Sequence, residues 1–149
     1  MADQYEDLFR NKFETFNALR KEMSDEEAWE KMLDGYPERQ LQKMGQYINN
    51  ATLVEGFRKA IPYYSKLGMV MDAVDISNNG MDAVLEIQRV CPYLEMAKGY
   101  GVEDPCHLLC DMDVEATKRA FPDMKVRYVC RQSKGDCVCA YKYERPARK

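Results

Sequence analysis

From Asp3 to Lys21 the apolar residues Tyr5, Leu8, Phe9, Phe13, Phe16 and Leu19 recur at intervals of three and four, the period of a helix with one buried stripe. Ser24-Asp25-Glu26-Glu27 reads as a capping box and opens a second helix carrying Trp29, Met32 and Leu33, which Gly35-Tyr36-Pro37 is expected to end. A third helical stretch starts near Glu38 with Leu41, Met44, Tyr47 and Ile48 on one side. Asn49-Asn50 interrupts it before Leu53, Phe57, Ile61, Tyr64 and Leu67 resume the stripe. Pro62 should kink or break that last segment, because it removes one intrahelical hydrogen bond and crowds the preceding turn.

After Gly68 the period changes from helical to alternating. Val70 to Ile76 reads as a strand, Ser77-Asn78-Asn79-Gly80 as a hairpin turn, and Met81 to Val90 as the partner strand. The partner carries Ala83, Leu85 and Ile87 on one face and Val84, Glu86 and Gln88 on the other. Cys91-Pro92 ends it, and a short helix through Tyr93, Leu94, Met96 and Ala97 stops at Gly99-Tyr100-Gly101. Asp104-Pro105 reads as an N-cap followed by proline at the first helical position, so one helix is expected from Cys106 to about Phe121. A final hairpin pairs Lys125–Arg131 with Cys137–Tyr143. The expected architecture is α+β: a helical N-terminal half, residues 1–67, packed on an antiparallel sheet of about four strands with crossing helices in a cysteine-rich part, residues 68–149. At 149 residues the chain is expected to form a single domain.

Charge and composition narrow the classes of function. Twenty-two basic against 25 acidic residues leave a net charge of -3, without the positive field that a phosphate backbone requires, so nucleic acid is not the expected partner. No stretch approaches the ~20 apolar residues of a membrane span, and the acidic start does not read as a signal peptide, so no membrane association and a cytoplasmic location are expected. In a reducing compartment the six cysteines are free thiols, metal ligands or thiol chemistry rather than disulfides. All six, and the lone histidine His107, fall after residue 90, which marks that part as the chemical end of the chain.

Cys106 and Cys110 stand four apart on the expected helix, where two thiolates can share an ion or simply pack as small hydrophobes. The first turn of a helix lowers a thiol pKa, which makes Cys106 the expected reactive thiol. His107 is one position on from Cys106, rotated about 100° from it, and serves as a base or donor at a pocket mouth, or as an ordinary surface residue. Cys137 and Cys139 alternate on the last strand, and Cys130 can reach the same face from its partner. Cys106, Cys110, Cys130, Cys137 and Cys139 therefore form the candidate ligand set for zinc or an iron–sulfur cluster, with no metal as the open alternative. Asp111, Asp113 and Glu115 crowd one helix, either as a solvated face or with Asp111 reaching a pocket as acceptor or base.

The segments Cys91-Pro92-Tyr93 with Glu95, Gly101-Val102-Glu103-Asp104, Cys110-Asp111-Met112-Asp113, Phe121-Pro122 and Gly135-Asp136-Cys137-Val138-Cys139-Ala140-Tyr141 resemble, in order, the L-2-amino-thiazoline-4-carboxylic acid hydrolase family over about 60 residues. The closing hairpin is also similar to vinyl-reductase-type ligand-binding domains. The first resemblance implies a small-molecule hydrolase that opens a cyclic amidine, the thiazoline ring. Cys91, Cys110, Asp111 and, by proximity, His107 are then the catalytic candidates, and Cys139, Tyr141 and Asp113 the substrate-binding ones. The second implies a small-ligand-binding or sensory domain with a cysteine-held zinc or iron–sulfur site. Either way the expected partner is a small molecule, and the helical half either closes over its pocket or forms a dimer face, so a homo-oligomer remains an open expectation.

Overall fold

The computed structural model describes residues 2–49 and 51–148, apart from the side chains of residues 2–6 and 8. Tyr5 and Leu8 of the expected first stripe, and Asn50 of the expected interruption, lie outside that description. Helices α1 (Ala2–Leu19), α2 (Asp25–Met32), α3 (Tyr36–Ile48) and α4 (Leu53–Lys66) precede the hairpin β1 (Val70–Asp75) and β2 (Met81–Val90). Then come α5 (Tyr93–Lys98), α6 (Pro105–Leu108), α7 (Cys110–Ala120), β3 (Lys125–Cys130) and β4 (Cys139–Pro146). The fold is α+β as expected. The strands form one antiparallel sheet in the order β1-β2-β4-β3, so the last hairpin joins the first through β4.

Local signals explain most boundaries. Ser24 accepts from Glu27 N–H while Glu27 reaches back to Ser24 N–H, the capping box that starts α2. Asn79 and Gly80 take φ of 52° and 76°, the two positive values that a tight two-residue hairpin turn needs. Four expectations are corrected. Gly35-Tyr36-Pro37 does not close α2 but opens α3, because proline in a first turn loses no intrahelical bond. Pro62 lies inside an unbroken α4; Pro62 and Arg58, whose carbonyl it deprives of a partner, are both exposed, so water can take that bond. The single helix expected from Cys106 is two, turning at Leu109 (φ -99°, ψ -78°), which lets the adjacent Leu108 and Leu109 both enter the core. The strand expected from Cys137 starts at Cys139, and Cys137 is exposed in the preceding loop.

Two hydrophobic clusters result. One packs Met44, Ile48, Leu53 and Phe57 of α3 and α4 on Val84, Tyr141 and Tyr143 of the sheet. The other is wholly helical and gathers Phe13 and Phe16 of α1, Leu33, Tyr93, Leu108 and Met112. Cys110 touches both. At one end of the sheet Arg145, fully buried, donates from Nε to Asp82 Oδ2 at 3.0 Å and from Nη1 to the Ile48 carbonyl at 2.6 Å, and Asp82 in turn accepts the Leu53 N–H at 3.1 Å. One ion pair thus satisfies the last carbonyl of α3 and the first amide of α4, groups that helices leave orphaned at their ends.

Removing one member of such a pair strands the other charge in the core. Asp82→Asn and Arg145→Met are each expected to cost about 3–5 kcal/mol in urea denaturation, with the double variant costing clearly less than the sum. Gly56 sets the α3–α4 crossing, since a Cβ there would stand 1.8 Å from the Tyr47 carbonyl oxygen. Gly56→Ala should therefore destabilise the fold by about 3 kcal/mol or more in the same measurement, because backbone rather than a side-chain tip must yield.

Candidate functional site

Period-2 alternation puts Asp82, Val84, Glu86 and Gln88 of β2 on the face that the helices cover, opposite Arg145, Tyr143, Tyr141 and Cys139 of β4. Leu85 and Ile87 are only half-buried on the other face, while Glu86 and Gln88 are each 6% exposed. Burying two polar side chains while two aliphatic ones face outward costs free energy unless the polar groups are used. They line a cavity of about 230 Å³ between the two hydrophobic clusters. Helices α3, α4 and α7, with Phe9 and Lys12 of α1, form its other walls. Tyr36, Gln40 and Lys43 share one face of α3, and Cys110, Asp113 and Thr117 share one face of α7.

These two helical faces are joined by a polar network. Asp113 Oδ1 accepts from Tyr36 Oη at 3.1 Å and from Gln40 Nε2 at 3.2 Å, and Gln40 Nε2 also donates to Thr117 Oγ1 at 3.1 Å. Thr117 closes the loop by donating to the Asp113 carbonyl at 2.8 Å. Lys12 of α1 enters from the far end of the sequence and donates to Tyr36 Oη at 3.3 Å. Phe13 stacked on Tyr100 and Phe9 tilted against Tyr93 hold α1 in that position.

Burial pushes the Glu86 carboxyl up to about 7, against hydrogen bonds from Gln88 (Nε2 to Oε1, 3.1 Å) and Tyr143, with the Asp113 charge adding to the rise. The same desolvation holds the Tyr36, Tyr64, Tyr141 and Tyr143 phenols above their ordinary range, so all four are O–H groups at neutral pH. It also raises Cys110 well above the usual thiol range, which keeps it protonated. Gln88 Oε1 has no hydrogen-bond partner, and Tyr141 Oη meets only the Cys110 thiol at a geometry short of a hydrogen bond. The cavity therefore offers one carboxyl that exchanges its proton near neutrality and neutral O–H and S–H groups, with two buried polar atoms of its wall left without a hydrogen-bond partner.

Of the residues expected at a site, Cys110, Asp113 and Tyr141 come together here. Asp111, His107, Cys91 and Cys139 do not line this cavity. Asp111 pairs with Arg131, whose guanidinium lies 3.2 Å over the Tyr128 ring centroid, and with His107 Nδ1 at 3.2 Å. His107 stacks on Trp29, and its carbonyl accepts from Trp29 Nε1 at 2.8 Å; it faces a separate open cleft beside Arg20 and Glu103. These contacts clamp α6, α7 and β3 together. Cys139 is buried beneath the sheet's helical face and accepts from Gln132 N–H at 3.3 Å. Cys106 donates to Ser133 Oγ at 3.1 Å, and burial raises its thiol, contrary to the lowering expected from a helix start, because α6 has only four residues. Burial likewise raises the half-buried Cys91. Cys137 is exposed in its loop, and Cys130 stands opposite Ala140 across a bulge. Among the described residues no three His, Cys, Asp or Glu side chains converge closely enough to hold a metal ion. No helix there is long and apolar enough to cross a membrane. Glu86, Gln88, Tyr36, Gln40 and Lys12 escaped the sequence reading; the usable signal was a strand whose two faces differ so little in hydrophobicity that either can be the covered one.

Glu86 makes stability depend on pH with a defined sign. Its folded carboxyl holds a proton up to about 7 against glutamate's ordinary 4.5, so the folded state binds more protons between those values. Its contribution is full below about pH 4.5, declines as pH rises to about 7 and is gone above. Glu86→Gln should abolish that decline and be more stable than the parent at pH 8 by roughly 3 kcal/mol or less, measured as urea midpoints across the range.

Comparison with known proteins agrees with the resemblance of the C-terminal segments and extends it to the helical half. The model of a family described as L-2-amino-thiazoline-4-carboxylic acid hydrolase matches residues 5–143, which include every wall of the cavity. No curated protein and no solved structure matches the chain. With nearly its whole length accounted for, the chain belongs to the L-2-amino-thiazoline-4-carboxylic acid hydrolase family.

Proposed function

We propose that the protein is a hydrolase that opens a small cyclic amidine of the 2-amino-thiazoline-4-carboxylate type in the cavity between α3, α7 and the sheet. The observation that carries this reading is Glu86: a carboxyl buried in a cavity wall, with a proton affinity near neutrality and polar neighbours able to hold a substrate beside it. A volume of about 230 Å³ suits a five-membered ring better than a drug-sized ligand, whose sites run from about 300 to 1,000 Å³.

Ring opening needs a base for water, an acid for the leaving heteroatom and donors for the charge that develops between. Glu86, deprotonated, takes a proton from water as its oxygen bonds to the ring amidine carbon. The C=N electron pair moves onto the ring nitrogen, which takes the proton held by Glu86; the adduct then collapses to a carbonyl by breaking the bond from that carbon to ring sulfur or ring nitrogen, its hydroxyl proton passing through Glu86 to the departing atom. Gln88 Oε1, unpartnered in the protein, is an acceptor for the amidine N–H. The Tyr141 hydroxyl is a neutral donor to the adduct, while that of Tyr143 bonds Glu86 and orients it. Cys110, held as a thiol by burial, is a weak nucleophile and serves here as wall and donor.

Incubation with 2-amino-thiazoline-4-carboxylate, followed by mass spectrometry for addition of one water, tests the reading; folded protein with no turnover at any pH around neutrality would end it. The kcat/KM profile is expected to rise with pH through an apparent pKa of about 7 as Glu86 ionises. Glu86→Gln should lower kcat by roughly 100-fold or more and flatten that limb. Cys110→Ala should cost less than about tenfold, since no covalent intermediate runs through the thiol.

A further inference from the structure

Two cations line the cavity, and they differ in kind. Lys43 is exposed at the rim, its ammonium 5.4 Å above the Tyr63 ring centroid. Lys12 is half-buried. Its ammonium carries three N–H donors, and the contact it makes is with Tyr36, by one hydrogen bond at 3.3 Å and over the ring at 4.8 Å from the centroid. Among the described residues it has no carboxylate at ion-pair distance; Asp113 lies beyond the Tyr36 hydroxyl, which donates to it. Burial pulls the Lys12 ammonium below the ordinary lysine range, while Asp113 opposes the fall. An ammonium held in a cavity wall with unused donors and no counter-ion is costly in the free protein and is relieved by an anion.

We propose that Lys12 is the specificity-determining cation of the cavity, receiving the carboxylate of the ring substrate while Tyr36 and Asp113 hold its side chain in place. The identity of the ring rests on the hydrolase reading above; recognition of a small carboxylate by Lys12 does not. The arrangement divides the cavity by charge. Glu86 and Gln88 on the sheet side take the amidine, and Lys12 on the α1 side takes the anion, so a zwitterionic ring has one favourable orientation. Lys43 at the rim adds attraction for anions as they approach. Recognition of this kind raises affinity more than it lowers the chemical barrier, because the carboxylate charge does not change as the ring opens.

Two measurements on the full chain test the assignment. In the first, the non-hydrolysable carboxylate L-thiazolidine-4-carboxylate is titrated into parent, Lys12→Met and Lys12→Arg protein by calorimetry. The parent should bind it, Lys12→Met should bind roughly 10- to 100-fold more weakly, and Lys12→Arg should recover part of the loss. In the second, turnover of 2-amino-thiazoline-4-carboxylate is compared with that of 2-aminothiazoline, which lacks the carboxylate. The preference of the parent for the acid, as a ratio of kcat/KM, should shrink by a similar factor in Lys12→Met, mainly through KM. Thermal melting separates folding from recognition, since removing an uncompensated charge should leave Lys12→Met at least as stable as the parent. A parent that ignores the probe, a Lys12→Met variant that binds it as tightly, or equal loss of kcat on both rings overturns the assignment. Absence of turnover together with Lys12-dependent binding sinks the hydrolase reading instead and leaves the anion site standing.

Discussion

The buried pair of Asp82 and Arg145 fixes the corner between α3 and α4 on the sheet. Arg145 takes the last carbonyl of α3 and Asp82 the first amide of α4, so the corner between those helices is pinned to neighbouring positions on β2 and β4. Two charges leave water for this, and the arrangement is favourable because nearly every lone pair and N–H involved has a partner. The same strands run on from that anchor to Glu86 and Tyr141, which face each other across the ladder. The position of α3, and with it of Tyr36 and Gln40 over the cavity, is thus referred to the sheet through one ion pair at the opposite end. Gly56 lets α4 lie directly against the Tyr47 carbonyl of α3, which keeps that corner rigid.

Within this frame the cavity inverts the usual assignment of polar and apolar positions. On β2 the glutamate and glutamine point under the helices and the leucine and isoleucine point away from them. Desolvation is then the main force on Glu86, Cys110, Lys12 and the buried phenols there. It brings a carboxyl to neutrality, makes phenols and a thiol firmly neutral and depresses an ammonium. A site so arranged holds few charges at neutral pH, and each is placed where a ligand rather than water would meet it. The thiols of the C-terminal part work otherwise: most are packed or half-buried, and burial raises Cys91, Cys106 and Cys110, so they behave as small hydrophobes with weak donors.

Much of the fold was legible in the chain. The capping box at Ser24, the Asn79-Gly80 turn and the alternation of β2 are local, and each survives into the structure because nothing in the tertiary packing opposes it. Cys110, Asp113 and Tyr141 are legible as candidates through the family resemblance, whose matched segments Cys110-Asp111-Met112-Asp113 and Gly135 to Tyr141 carry all three. Errors cluster where short-range rules met packing. The helix turns at Leu109 since two adjacent leucines are both drawn inward, and α4 runs through Pro62 since the freed carbonyl is on the wet side.

The amino-acid sequence by itself determined the order of most elements, the α+β class and the family, because these follow from periods of 2 and 3.6 residues and from motifs close along the chain. Only the tertiary structure decided which face of β2 is covered, that Lys12 meets Tyr36 across 24 residues and Asp113 stands behind it, and that Cys106, Cys130, Cys137 and Cys139 go to different surroundings. The physical reason is that burial and charge neighbours, which set proton affinities, are sums over residues distant in sequence, and no local pattern encodes that sum.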